Sequence, residues 1–191
     1  MLIQNNIVSE TGAEPITTAY LKNYLRIGFD TDDDTITSVL KSARQLVEKY
    51  IEQALVSKNY KAYFYSFEEW DVVNYYYKLE LPISPVTTVT AVKIVAVDGT
   101  ETATTDFTTT GLDEKTITVP IALNLAGSVG VGYIVEYTAF NDAIDEPIKD
   151  AICKLAGELY ENRQDSAVDV SISALPFDVK RILNVYRKTF I

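Results

Sequence analysis

The spacing of apolar residues changes period twice along this 191-residue chain, and this change constrains its fold more than any other feature. Up to residue 58, apolar residues recur roughly every three to four positions, as in helices with one buried face. From residue 59 to 138, short runs of aromatic and β-branched residues indicate strands, and helical spacing returns from residue 139. The pattern predicts an α+β fold in which a helical bundle carries an antiparallel β insertion.

Two helices are predicted before the insertion. The first follows Ile16, takes Thr17 or Thr18 as its N-cap and ends at Gly28. The second opens in the acidic run at residues 30–34, and its apolar positions form one stripe: Ile36, Val39, Leu40, Ala43, Val47, Tyr50, Ile51 and Ala54. A stripe of this length has to be buried, so both segments are expected to share one core.

The insertion is predicted to be a small barrel or a sandwich of short strands. Its first strands are rich in tyrosine, with a run at Tyr75, Tyr76 and Tyr77. The dipeptide Asp98-Gly99 suits a type I′ turn and therefore predicts a β-hairpin. Further strands are expected at residues 116–119 and 131–138.

Two helices are also predicted after the insertion. One begins behind Asp145, with Pro147 at its first position, and the last one follows Leu175-Pro176. The polar segment between them, residues 164–173, is predicted to be a loop. The expected domains are therefore a helical core of residues 1–58 and 139–191 and a β insertion of residues 59–138.

The composition offers few groups for catalysis or metal binding. The chain has no histidine, which is the commonest general base and transition-metal ligand. Its one cysteine, Cys153, lies at core spacing and is expected to be an inert, packed thiol. The aspartates at 30, 32 and 34 resemble a calcium loop, but Thr35 and Lys41 replace the required glycine and glutamate, so capping and dipole interactions at the start of a helix are preferred. No catalytic residue, cofactor site or metal site is predicted.

The formal charge of −10 argues against a sequence-independent grip on DNA, which needs basic residues against the phosphates. The charge is uneven, because residues 176–191 contain four basic residues and one acidic residue, a net of +3 that leaves −13 on the rest. This basic segment either meets an acidic partner or complements the dipole of the last helix. The start of the chain lacks a signal-peptide pattern, and no apolar run approaches the roughly 20 residues that span a bilayer. We therefore expect synthesis in a cytoplasm and no membrane partner.

Four sequence strings appear in a fixed order. The first comprises residues 16–27 together with the acidic triplet and the helix that follow, up to Tyr50. The second is Leu81-Pro82-Ile83-Ser84-Pro85-Val86, and the third comprises residues 147–152 and 159–163. The fourth is Leu175-Pro176 followed by Tyr186-Arg187. In this order and spacing, the strings resemble the head-tail connector, or adaptor, family of long-tailed bacteriophages. The resemblance implies a non-enzymatic virion protein of the neck, made in the host bacterial cytoplasm.

The resemblance also implies partners and contact residues. Copies of the chain would form a ring beneath the portal protein, commonly a dodecamer, with a stopper or tail-completion protein below, and DNA would pass through without specific binding. The C-terminal helix and tail would dock on the portal, so the candidate portal contacts are Arg181, Tyr186, Arg187, Lys188, Phe190 and Ile191. Leu183, in the same segment, is expected to be a core residue.

Three other functions stay open at this point. A stopper or tail-completion protein of the neck would use similar ring contacts, and the tyrosines suggest a carbohydrate-binding virion module as a weaker alternative. A packaging hydrolase or nuclease is disfavoured, because the chain lacks histidine and a metal-ligand cluster.

Overall fold

The structure is a computed structural model, and it describes residues 2–65, 70–71, 76–111, 116–120, 130–162 and 175–187. The chain divides into a β unit, residues 1–12 and 56–141, and a helical unit, residues 13–55 and 142–191. The predicted α+β fold is confirmed, with one strand before the first pair of helices and the other antiparallel strands between the two pairs. The loop predicted at residues 164–173 lies outside the described residues.

The described part of the helical unit contains four helices. They are α1 (Thr18–Leu25), α2 (Asp33–Ile51), α3 (Glu146–Glu161) and α4 (Phe177–Leu183). Their apolar faces meet in one buried core, to which α2 contributes Ile36, Leu40, Ala43, Val47 and Ile51 and α3 contributes Ile148, Ala151, Ile152, Cys153, Leu155 and Ala156. The stripe read from the sequence is thus the buried face of α2.

The ends of α1 show how local residues set its length. Thr17 is the N-cap, and its hydroxyl accepts a hydrogen bond from the Tyr20 amide at 3.1 Å. The helix ends at Leu25, so the predicted stop at Gly28 is wrong. The reason is that Arg26 adopts a left-handed conformation, with φ at 58°, and the Arg26 and Ile27 amides turn back to the carbonyls of Asn23 and Lys22.

A buried arginine connects the two ends of the N-terminal helical segment. The Arg44 side chain on α2 has no exposed surface, and its guanidinium donates to both oxygens of Glu14, at 2.7 and 3.0 Å. It also donates to Glu48, one turn further along α2, at 2.6 Å. The other Glu48 oxygen accepts the Leu55 amide at 2.8 Å. The network therefore holds residue 14, before α1, and residue 55, after α2, to the middle of α2.

The β unit contains two sheets of antiparallel strands among its described residues. The larger sheet has the order β1-β2-β9-β5-β6, and the smaller has the order β3-β4-β8-β7. Neither sheet closes on itself within the described strands, so the predicted barrel is wrong. The strands are β1 (Leu2–Glu10), β2 (Lys58–Tyr65), β3 (Trp70–Asp71), β4 (Tyr76–Glu80), β5 (Val86–Ala96), β6 (Glu101–Thr104), β7 (Thr108–Thr110), β8 (Thr116–Pro120) and β9 (Gly130–Ala139). Tyr75 of the predicted tyrosine run lies outside the described residues.

The larger sheet has one apolar face and one charged face. On the apolar face, Tyr60 of β2 lies opposite Tyr137 of β9, and the two rings stack with centroids 5.2 Å apart. The charged face carries an ion-pair network of Lys61, Lys93, Glu101 and Glu136. Residues that alternate along a strand point to opposite faces, which explains how one sheet carries both.

The predicted hairpin at Asp98-Gly99 is confirmed, but its predicted turn type is wrong. β5 and β6 pair from Val92 opposite Thr104 to Val95 opposite Glu101. Gly99 has a φ of 85°, whereas Asp98 is not among the residues with positive φ, and a type I′ turn needs both. The Asp98 carboxylate instead accepts the Thr100 amide at 2.9 Å, which shapes a longer loop and lowers the pKa of that carboxyl.

The first strand was not predicted from the sequence. Residues 1–58 were expected to belong with the helices, whereas β1 pairs antiparallel with β2 and residues 1–12 belong to the β unit. The register of β1 shifts twice, between Leu2 and Gln4 and between Ile7 and Ser9. Each shift breaks the simple alternation by which a strand is recognised in a sequence.

Replacing Arg44 by methionine should destabilise the protein by about 3–5 kcal/mol, because Glu48 would keep a buried charge without its main partner. Urea unfolding followed by circular dichroism measures this loss. Lys49→Met, on the exposed side of the same helix, is the matched control and should change the unfolding free energy by less than about 0.5 kcal/mol. Equal unfolding free energies for the two variants would contradict a stabilising role for the network.

Candidate docking surface

The predicted contact segment includes α4, whose position is set by its two buried residues. Val179 and Leu183 are buried in the core of the helical unit, so the predicted core position of Leu183 is confirmed. Proline at 176 precedes the helix and fits its first turn, because proline lacks the amide hydrogen that would stay unpaired there. Burial of one side leaves the opposite side of this short helix toward solvent.

That outer side presents Phe177, Arg181 and Val185, spaced four residues apart. Phe177 is 78% exposed, Val185 is 83% exposed, and Arg181 between them is also exposed. Asn184 keeps right-handed helical dihedral angles, and its amide bonds to the Lys180 carbonyl, so the spacing still places Val185 on this side. We call these three residues the α4 stripe. It combines two large apolar groups with one cation that always carries its charge.

The residues after α4 are held on the C-terminal end of α2. The Tyr50 hydroxyl donates to the Asn184 side-chain oxygen at 2.6 Å, and the Gln53 amide donates to the Tyr186 carbonyl at 3.1 Å. The Arg187 guanidinium lies over the Tyr50 ring, 5.5 Å from its centroid, in a cation–π contact. We call these three interactions the tail latch.

Tyr186 makes an additional contact with the start of α3. Its ring is half-buried against the helical core, and its hydroxyl bonds to the Asp145 carboxylate. Removal from water, with a contribution from this acidic neighbour, raises the pKa of the Tyr186 phenol. The ring and the hydroxyl of Tyr186 are therefore both in contact with residues of its own chain.

The structure places three of the six predicted portal contacts. Arg181 and Arg187 are exposed, whereas Tyr186 faces the core and Asp145. Lys188, Phe190 and Ile191 lie outside the described residues. Their role as contacts stays a prediction for all six. Phe177 and Val185 were missed by the sequence analysis, although the helical spacing that buries Val179 and Leu183 also sets them on the outer side.

The acidic run before α2 binds a lysine and a tyrosine. Lys22 pairs with Asp30 and with Asp33, at 2.6 Å to the latter, and the Tyr160 hydroxyl donates to Asp32 at 2.6 Å. Hydrogen bonding to Asp30, and then to Asp33, raises the pKa of Lys22. Asp32 occupies the N-cap position but makes no side-chain cap hydrogen bond, so the predicted capping is wrong for this residue. The run joins α1, α2 and α3 through side chains.

Cys153 is fully buried in the core side of α3, which confirms its predicted packing. Burial, with a smaller contribution from Asp150, raises the pKa of the Cys153 thiol to about 11. A thiol of this kind is almost entirely protonated at neutral pH.

The part of the chain that the structure describes offers neither a metal cluster nor a membrane-spanning helix. There, no three acidic or cysteine side chains gather in a way that could hold a metal ion. No helix within the same residues is long and apolar enough to cross a membrane.

Residues 16–102 match the family of phage gp6-like head-tail connector proteins. The predicted resemblance to the head-tail connectors is confirmed for this segment, which makes up a little less than half of the chain. The matched segment contains α1, α2, the strands from β2 through β5 and the first residues of β6, and it includes the first two of the four sequence strings. The connector family is one of structural virion proteins.

Solved structures share the fold of nearly the whole chain. A chain in the virion of a native gene transfer agent particle is 23% identical with a TM-score of 0.71, covering 99% of this chain and 97% of that one. A chain in the neck of the empty particle, computed with C6 symmetry, is 24% identical with a TM-score of 0.69 and the same coverage. A chain in the neck of the native particle, computed with C12 symmetry, is 23% identical with a TM-score of 0.61, covering 100% and 97%. No curated protein matches the chain.

The match and the likeness support different parts of the predicted resemblance. The strings at residues 147–163 and 175–187 lie beyond the matched segment, and there the solved structures establish a shared fold only. Of these strings, Arg163 lies outside the described residues. For residues 175–187, the candidate docking role therefore rests on the shared fold and on the geometry of the segment itself.

Replacing Tyr50 by leucine should weaken the tail latch by removing two of its three interactions while keeping an apolar side chain. The loss of one hydrogen bond and one cation–π contact should accelerate trypsin cleavage after Arg187 by roughly tenfold. Mass spectrometry of a digestion time course measures the rate. Tyr20→Leu, at a half-exposed position on α1, is the control and should be cleaved at the wild-type rate. An unchanged rate for Tyr50→Leu would show that the latch does not restrain the segment.

Cys153 should not react with Ellman's reagent at pH 8 while the protein is folded, because the thiol is both buried and protonated. The same protein in roughly 6–8 M urea, a range typical for complete unfolding, should release one equivalent of thionitrobenzoate. Rapid stoichiometric labelling of the folded protein would contradict the packing of α3.

Proposed function

We propose that this chain is the adaptor subunit of the neck of a phage-like particle, forming a ring beneath the portal that joins the DNA-filled head to the tail. The connector-family match over residues 16–102 carries the proposal, and the shared fold over the remaining residues supports it. In this role the protein holds neighbouring subunits together and catalyses no reaction. Its place is the virion neck.

The ring form is supported by the symmetric particles in which the similar folds occur. Those necks were computed with C6 and C12 symmetry, and a twelvefold portal complex of this chain would fit both. A net charge of −10 suits a conduit, because acidic walls repel the DNA phosphates and let the duplex pass without binding. A stopper or tail-completion protein would follow on the tail side of the ring.

The α4 stripe, together with the basic residues after it, is the proposed portal contact. Phe177 and Val185 can enter apolar pockets of a partner, and Arg181 between them can form a bidentate pair with a carboxylate. The tail latch holds Arg187 over the Tyr50 ring, two residues beyond Val185 in the chain. The proposed partner surface is therefore a groove with apolar pockets and acidic groups.

Two variants test the portal contact against purified portal rings of the same particle. Deleting residues 187–191 should abolish co-sedimentation with portal rings, and Arg181→Glu should weaken it at least tenfold, because a like charge would face the acidic groove. Lys49→Glu is the matched control, since it reverses an exposed charge on α2, and it should bind like the wild type. Circular dichroism checks that each variant keeps its fold.

Electron microscopy of wild-type protein mixed with portal rings distinguishes the adaptor from other neck proteins. The adaptor should appear as a ring stacked directly on the narrow end of the portal. Absence of any portal complex, or a ring that binds only after another neck protein, would overturn the adaptor role.

A further inference from the structure

The outer edge of β1 is a strand edge without a partner among the described residues. β1 is the first strand of the larger sheet and pairs only with β2 there. Residues 2–9 carry no charge, and Ile3, Ile7 and Val8 are each more than half exposed. Natural proteins usually protect such edges with charged side chains, bulges or a covering segment. Within the part of the chain that the structure describes, the two bulges are the only such protection of residues 2–9 in β1, and between them four residues, 4–7, run in regular register.

The opposite edge of the same sheet is also open in the described structure. β6 pairs only with β5, and it has four residues, which equals the regular run of β1. Its residues 102–104 are uncharged and carry small side chains, and Glu101 at its start is already paired with Lys93 and Lys61. A strand placed along β6 would therefore meet backbone groups and small neutral side chains.

The strand directions favour one way of joining these edges. All neighbouring strands in this sheet are antiparallel, and the sheet has five described strands, so β1 and β6 run in the same direction. Copies related by rotation around a ring keep that direction. A β6 edge would thus meet the β1 edge of the next copy as a parallel pair. Because each contact joins two different edges, repeating the contact from copy to copy can close a ring.

We infer that β1 of one copy pairs with β6 of the next, so that the larger sheet continues from subunit to subunit around the ring. This inference rests on the proposed ring function and adds the surface that makes the ring. The occupant of the β1 edge is a second copy of this chain, since an open backbone edge is recognised by an extended strand and the chain carries a matching one. Pairing β1 with β1 would instead give a two-fold dimer, which cannot grow into a ring.

Engineered disulfides test the pairing in portal-bound rings. Asn6 lies opposite Lys61, and Ala103 lies opposite Lys93, so both positions are on the charged face of the sheet. Within one subunit the two edges are separated by four strand spacings, roughly 19 Å, which no disulfide can span. A disulfide between the two thiols that Asn6→Cys and Ala103→Cys introduce can therefore form only between copies. The buried Cys153 does not interfere.

Oxidation of the Asn6→Cys/Ala103→Cys protein should give a ladder of covalent multimers on a non-reducing gel, with most of the chain in species larger than a dimer. Gln4→Cys/Ala103→Cys, one step along the same face, covers the neighbouring register. Asn6→Cys/Thr102→Cys is the control, because residues 6 and 102 lie on opposite faces and should remain largely monomeric on the gel.

The possible results separate this inference from the proposed function. Portal-bound rings without a ladder in either same-face variant would overturn the edge pairing and leave the adaptor role intact. Dimers from Asn6→Cys alone would also overturn it, in favour of two-fold pairing. If the wild-type protein formed no ring on the portal, the proposed function would fail and the inference with it.

Discussion

The buried charge of Arg44 is the constraint on which the helical unit depends. A guanidinium without solvent access is tolerated only when carboxylates neutralise it, and Glu14 and Glu48 do so from two sides. Because Glu48 also accepts the Leu55 amide, one network fixes the residues that flank the α1–α2 pair. The C-terminal end of α2, held in this way, supplies Tyr50 and Gln53 for the tail latch. The candidate docking segment is thus held by residues that lie next to this network along the chain.

The α4 stripe owes its geometry to packing rather than to the helix itself. A helix of seven residues is marginal in water, so α4 keeps its shape because Val179 and Leu183 are buried. The same burial directs Phe177 and Arg181 outward. In the proposed portal contact, a surface that is already held in place by packing would lose less conformational entropy on binding. In the same proposed contact, the uneven charge of the chain would favour an acidic partner surface.

The larger sheet is open at both sides, and the proposed pairing between subunits needs these open edges. A closed barrel would have paired every strand and left no edge for a neighbour. The described sheet instead ends in two strands of different sequence that run in the same direction, which is the arrangement that head-to-tail association requires. The charged face, with Lys93 between Glu101 and Glu136, keeps the middle of the sheet solvated and polar. Apolar exposure is concentrated instead on β1, at the edge.

The sequence by itself determined the α+β organisation, a threonine cap at residue 17 or 18, the hairpin at Asp98-Gly99 and the strings that resemble the connectors, because each of these is encoded by neighbouring residues. Tertiary structure alone decided that residues 2–10 form a strand, since two bulges hide its alternation and only pairing with β2 defines it. It also decided that Arg44 is buried and that Tyr50 holds Asn184, which is 134 residues away. A local pattern records which side of an element avoids water. It does not indicate which distant residue covers that side, and the position of the candidate docking surface depends on those distant contacts.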